Sequence, residues 1–142
     1  MTKRKSAAIS LPEVRNRLRE AGLRCTPARV AAINCLFASP TPLSSGEIVE
    51  ALEPAGFDKS TVYRTLSEFT ECKIVFRLDL GDSMRHYELS DVGTHAHFKC
   101  RQCGEIQCLD DFSFEISPRK HKAVRLGSVN EVLLRGLCEA CE

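Results

Sequence analysis

The chain has 142 residues, enough for one ordinary domain or two small ones, and 43% of them are hydrophobic. No apolar run follows the basic N-terminus, and no stretch approaches the about 20 apolar residues of a membrane span, so the sequence argues against a secreted or membrane protein and predicts a cytoplasmic one. The net charge is only +1, yet the first 29 residues hold eight basic and two acidic side chains, which weakly indicates a nucleic-acid-binding face.

Four helices are predicted in the first half of the chain. Ser10 to Glu13 and Ser44 to Glu47 read as capping boxes, Thr26-Pro27 is a typical helix start, and Asp58 can cap the fourth helix. On the fourth helix an apolar stripe (Val62, Leu66 and Phe69) lies opposite a polar face (Ser60, Tyr63, Arg64 and Ser67).

A β-hairpin is predicted directly after these helices. Two apolar runs, 74–80 and 83–89, flank the turn residues Gly81-Asp82. Helices followed by a hairpin in this order predict a winged helix-turn-helix domain over residues 1–89. The second helix of such a motif enters the major groove of DNA, and the sequence offers four candidate contacts on it, Ser60, Thr61, Tyr63 and Arg64. The alternative is an ordinary solvated helix face.

The remaining residues, 90–142, predict a small second domain of short strands. Residues 95–100 and 105–109 flank a Cys-x-x-Cys turn, residues 129–137 form a third strand, and a short helix is predicted near 112–122. The fold class is therefore α+β, with a winged helix-turn-helix domain before a small α/β domain.

Two Cys-x-x-Cys pairs predict a metal site in the second domain. Cys100 with Cys103, and Cys138 with Cys141, each place two thiolates on one tight turn, and two such turns complete a tetrahedron. Four sulfur ligands leave no open position, so the site would be a structural Zn²⁺ site. Redox dithiols or buried free thiols are the alternatives. The other cysteines, Cys25, Cys35 and Cys72, are interpreted as core thiols.

A second, mixed cluster is predicted near the domain junction. His95 and His97 alternate along a strand, so both imidazoles leave the same face, and Cys108 lies on the next strand. Glu88 ends the wing and would complete the set, with His86 as its substitute. A thiolate beside two imidazoles favours Zn²⁺ over a hard-ligand metal such as Mn²⁺. Alternatively, Cys108 is a small buried hydrophobe.

Taken together, these motifs resemble the ferric uptake regulator family of bacterial metal sensors. The resemblance covers nearly the whole chain and is carried by residues 22–29, 60–66, 87–89, 95–104 and the cysteine pair 138–141. It implies a homodimer with a C-terminal dimerisation domain that binds operator double-stranded DNA and represses metal-uptake or oxidative-stress genes. It also implies an operator contact by Tyr63, helped by Arg64 and by basic residues near Arg24.

The resemblance carries over only in part to the regulatory site. The family's hinge acid and two histidines match Glu88, His95 and His97, whereas Cys108 replaces a second acid. A histidine that the family supplies from the DNA-binding domain has no counterpart in residues 40–43. A further family site is also changed, because Thr94 and Ala96 stand where some members have His and Asp.

These observations lead to one interpretation and several alternatives. The interpretation is a zinc-responsive repressor of metal-uptake genes, with one structural and one regulatory Zn²⁺, no small-molecule substrate and no enzymatic activity. The same-family alternative is an iron- or peroxide-responsive repressor, in which Fe²⁺ or Mn²⁺ occupies the regulatory site. A cysteine redox protein, or a zinc-ribbon interaction module without a DNA role, would be an alternative of another class.

Overall fold

The computed structural model describes residues 8–90, 95–110, 127, 129 and 131–142. They form two compact units, one of residues up to 90 and one of residues from 95 onward. Among the described residues, no helix has the length and apolarity to cross a membrane.

Side-chain caps begin all four helices of the N-terminal unit, α1 (Leu11–Glu20), α2 (Pro27–Ala38), α3 (Ser45–Leu52) and α4 (Lys59–Glu71). Each cap residue (Ser10, Thr26, Ser44 or Asp58) accepts a hydrogen bond from a backbone N–H three residues later, which satisfies a donor that the helix leaves unpaired. The predicted capping box is complete at Ser44, while at Ser10 only the serine half forms. The predicted helix starts are therefore confirmed.

The apolar sides of these helices meet in one core. The stripe predicted on α4 is fully part of it, because Val62, Leu66 and Phe69 are each at most 2% exposed. The largest side chains packed around that stripe come from every other helix of the unit: Val14, Leu18, Ile33 and Ile48. Burial of this continuous apolar surface fixes the angle at which α4 presents its opposite face.

A small antiparallel sheet forms the wing. Its strands are β1 (Leu43–Ser44), β2 (Val75–Asp79) and β3 (Arg85–Leu89), in the order β1-β3-β2. The hairpin β2–β3 confirms the sequence prediction, whereas β1 is a two-residue strand that periodicity could not reveal. Gly81 in the intervening turn has a positive φ of 77°, which glycine adopts without strain.

The C-terminal unit contains a mixed three-stranded sheet. Strands β4 (Ala96–Cys100), β5 (Ile106–Leu109) and β6 (Val132–Gly136) lie in the order β5-β4-β6, with β4 antiparallel to β5 and parallel to β6. All three strands were predicted, each one to four residues longer at its ends. The helix predicted near 112–122 lies outside the described residues.

Candidate metal centres and nucleic-acid interface

The four paired cysteines converge at one end of the mixed sheet. Cys100 ends β4, and Cys138 follows the neighbouring parallel strand β6, so the two knuckles start side by side. The four Sγ atoms all lie within 4.8 Å of one another, and those of Cys103 and Cys138 are 3.7 Å apart. Zn–S bonds of about 2.3 Å in a tetrahedron place sulfurs about 3.8 Å apart, so this cluster fits a Zn²⁺ ion.

Backbone N–H groups surround the sulfur of Cys100. Those of Gln102 and Cys138 each donate to Cys100 Sγ over 3.4 Å. The backbone of Cys103 in the first place, and then these two N–H groups, lower the pKa of the Cys100 thiol to about 6. The hydrogen bond with the Cys138 side chain, in contrast, raises the pKa of Cys141 to about 12. Four sulfurs this close cannot all ionise without a cation, so metal binding here releases protons and weakens in acid.

A second cluster lies at the N-terminal end of β4. His95 precedes the strand and His97 is its second residue, and their ring centroids are 4.4 Å apart. Cys108 on β5 pairs directly with His97 in the antiparallel register. Ligand atoms of these three residues lie within 4.8 Å of one another, and His97 is only 1% exposed. Two nitrogens and one sulfur at this spacing suit a borderline-soft ion such as Zn²⁺.

An acidic residue that the sequence analysis missed lies beside this cluster. The carboxylate of Asp110 is 3.6 Å from Nε2 of His95. Its position two residues after Cys108, just past the end of β5, was the only available signal. A carboxylate next to a metal-binding imidazole commonly orients the ring.

Glu88 and His86, the other residues predicted for this cluster, belong to the N-terminal unit. Both are buried on β3, and Nδ1 of His86 lies 3.7 Å from the carboxylate of Asp82. The roles of Glu88 as a ligand and of His86 as its substitute stay predictions.

The outer face of α4 carries the predicted DNA contacts. Tyr63 is 47% exposed, and Ser60 and Arg64 are exposed on the same side of the helix. Thr61 is half-buried, and its backbone N–H donates to the capping carboxylate of Asp58 over 2.8 Å. The side chains of Ser60, Tyr63 and Arg64 are therefore open to a ligand, and that of Thr61 is partly open.

Arg24 and Cys25 are exposed in the loop between α1 and α2. The interpretation of Cys25 as a core thiol was therefore wrong, because the residue precedes the capped start of α2 rather than lying within the helix. Cys35 and Cys72 are half-buried against the core, as predicted, and burial raises the pKa of the Cys35 thiol.

A winged helix-turn-helix unit and a sheet with two candidate metal clusters are the architecture of a metal-responsive transcription regulator. The model of the ferric uptake regulator family matches residues 20–130. The chain is 31% identical over 135 residues to a peroxide-responsive repressor, PerR, of Staphylococcus aureus, an alignment that covers 88% of this chain and 86% of that protein. The chain belongs to the ferric uptake regulator family.

Two solved structures of family members share the fold. The ferric uptake regulator of Vibrio cholerae matches with a TM-score of 0.65 at 25% identity, over 87% of this chain and 98% of that one. The ferric uptake regulator of Pseudomonas aeruginosa with manganese matches with a TM-score of 0.63 at 26% identity, over 87% and 96%. The predicted fold class, a winged helix-turn-helix domain followed by an α/β dimerisation domain, is confirmed.

Proposed function

We propose that this regulator is a cytoplasmic, homodimeric repressor of metal-uptake genes that binds operator double-stranded DNA when zinc is abundant. In this proposal residues 1–89 bind DNA, and residues 90–142 form the dimer and sense the metal. The cysteines of the two knuckles hold a structural Zn²⁺, and the regulatory Zn²⁺ is held by His95, His97, Cys108 and Glu88.

One observation carries the choice of zinc, the thiol of Cys108 directly opposite His97 across the β4–β5 ladder. Sulfur in a three-ligand set with two imidazoles disfavours Mn²⁺, which prefers oxygen ligands. A bound ion would neutralise the thiolate and crosslink the two strands at this pair. If only the DNA-binding form of the protein holds this ion, a rising zinc concentration shifts the population toward that form.

The exposed face of α4 supports the DNA-binding part of the proposal. Tyr63 offers an aromatic ring to a thymine methyl group, and Arg64 and Arg24 offer cations to guanine or to phosphates. Ser60 and Thr61 at the N-terminal end of the helix offer hydroxyls at the position where a recognition helix approaches base edges.

The test of the sensing site is operator binding titrated with free zinc. The probe is the DNA duplex that the parent protein enriches from a random-sequence pool in the presence of zinc. For half-maximal operator binding, Cys108→Ala and His97→Ala should each need at least about tenfold more free zinc than the parent. Substitution of a residue that only hydrogen-bonds to a metal ligand already costs about 10- to 100-fold in metal affinity. Glu88→Gln tests the fourth ligand in the same way.

Cys35→Ala is the matched control, because it removes a half-buried thiol that lies outside both clusters. It should respond to zinc as the parent does. If Cys108→Ala and His97→Ala also respond like the parent, these residues do not sense zinc. If the parent binds the duplex equally well without a second metal, the cluster is not a sensor.

A second candidate function is peroxide sensing through iron, which the 31% identity to a peroxide-responsive repressor favours. In the parent protein loaded with Fe²⁺, hydrogen peroxide would then abolish operator binding, and mass spectrometry would find an added oxygen on His95 or His97. The zinc proposal expects the zinc-loaded protein to be the tighter DNA binder and to keep that binding at low peroxide.

A further inference from the structure

We infer that Arg29 is a positioning residue for the DNA-reading face, which it serves by holding Glu68 away from Arg64 and by tying the Arg24 loop to α4. The inference rests on the proposed DNA-binding function of α4. It adds a residue to which the sequence analysis gave no role and which does not itself lie on the exposed face.

The guanidinium of Arg29 joins three parts of the N-terminal unit. Arg29 lies in the first turn of α2, and its Nε and Nη2 both donate to Oε2 of Glu68 on α4, over 3.3 Å and 2.9 Å. Its Nη1 donates to the backbone carbonyl of Arg24 over 2.7 Å. One side chain therefore connects the helix that reads DNA with the loop that carries a second proposed DNA contact.

This arrangement needs the geometry of arginine. The side chains of Arg29 and Glu68 are only 17% and 33% exposed, so water screens their ion pair less than it screens a surface pair. The planar fork donates to the carboxylate and the carbonyl at once, in directions that a single ammonium group cannot reproduce.

The position of Glu68 explains why this pairing matters for DNA binding. Glu68 follows Arg64 by four residues on α4, the spacing at which acidic and basic side chains on one helix attract each other. In the structure Glu68 pairs with Arg29 instead, and Arg64 stays exposed. Arg29 thereby neutralises a carboxylate next to the surface that meets a polyanion.

Loss of Arg29 therefore has two effects on the reading face. The carboxylate of Glu68 becomes free to pair with Arg64 and adds a negative charge beside the DNA phosphates. The Arg24 carbonyl also loses its anchor, so the loop is no longer fixed relative to α4. The first effect disappears when the carboxylate is replaced by an amide, whereas a simple loss of packing would not.

The experiment measures the ratio of affinities for the enriched duplex and for a mixed-sequence duplex of equal length, with zinc present. Arg29→Ala should lower this ratio about tenfold, a size typical of substitutions that act on a binding site without touching the ligand. The double variant Arg29→Ala/Glu68→Gln should recover most of the ratio, although its thermal unfolding temperature stays as low as that of Arg29→Ala. Glu68→Gln alone should stay close to the parent.

Arg19→Ala is the matched control. Arg19 is exposed, and its guanidinium donates over 2.7 Å to the side-chain oxygen of Asn16 on the same helix, so this contact connects no two elements. This variant removes the same charge and should weaken binding to both duplexes alike, leaving their ratio unchanged.

An unchanged ratio for Arg29→Ala would overturn the inference, and so would a lost ratio that Glu68→Gln fails to recover. The parent and Tyr63→Ala are measured in the same series to separate the two proposals. A Tyr63-dependent ratio together with an unaffected Arg29→Ala rejects only the role of Arg29. A parent that does not discriminate between the two duplexes rejects both.

Discussion

The two units of the chain are held together by different means. The N-terminal unit has a continuous apolar core to which all four helices and the wing contribute. In the C-terminal unit the described residues that are buried are few, namely Ala96, His97, Cys100 and Cys138, and three of these belong to the candidate metal clusters. We infer that burial of apolar side chains stabilises the first unit, and that the second unit depends on metal ions bound by its cysteine and histidine side chains.

The largest effect should come from breaking the four-cysteine cluster with Cys138→Ser. Structural zinc sites contribute about 10–16 kcal/mol of binding free energy that is coupled to folding. Because few of the described residues of this unit are buried and apolar, the unit should not survive the loss of a ligand. Elemental analysis should find the structural zinc missing, and circular dichroism should show lost strand signal with the helices retained. A folded dimer without metal would contradict the dependence on ligands.

Leu66→Ala is the converse test, because it damages the apolar core of the N-terminal unit and leaves the metal clusters intact. Leu66 is fully buried in the helical core, and truncation of a buried leucine typically costs about 2–5 kcal/mol. The free energy of unfolding of the helical unit should fall by this amount, while the zinc content stays at the parent value. If zinc is lost as well, the two units are not independent and the comparison fails.

The helical unit was largely predictable because its signals are local. Ser44, Asp58 and the Val62-Leu66-Phe69 stripe specify where helices begin and which side is buried, and each lies within a few residues of what it determines. Strand β1 escaped prediction because two residues have no periodicity and because its pairing with β3 spans more than 40 residues of sequence.

The metal clusters were predictable for a different reason. Alternation along β4 places His95 and His97 on one face, and the Cys-x-x-Cys turn returns the chain to pair Cys108 with His97. Asp110 was missed because one acid beyond a strand end looks like any loop residue. Arg29 was given no role because Glu68, its partner, lies 39 residues away and only the packing of α2 on α4 brings the two together.

A smaller effect is expected at the exposed face of the helical unit. Tyr63→Ala removes a half-exposed side chain that contributes nothing to the core, so the free energy of unfolding should change little. Loss of one good base contact should weaken operator binding by about 1–3 kcal/mol, measured as affinity at fixed salt and zinc. Unchanged affinity would show that α4 does not read DNA through this residue.

The smallest effect should follow from Asp58→Asn at the N-terminal cap of α4. The backbone N–H of Thr61 donates to the Asp58 carboxylate and lowers the pKa of that group below its ordinary value of 3.8, as does the Ser60 hydroxyl. Because the folded-state pKa is lowered, the carboxylate stabilises α4 at pH values above the ordinary pKa, and this contribution is lost as the pH falls through the lower, folded-state pKa.

Asparagine keeps a cap acceptor but has no charge to titrate, so the difference in unfolding free energy between parent and variant should shrink as the solution is acidified through this range. Amide hydrogen exchange at Thr61 and Val62 measures the effect locally, and Ser10→Ala at the start of α1 is a control cap that does not titrate. Because the change is confined to one helix end, the zinc content of the C-terminal unit should not respond. A difference between parent and variant that does not depend on pH would mean that the charge of Asp58 contributes nothing to the helix that presents Tyr63.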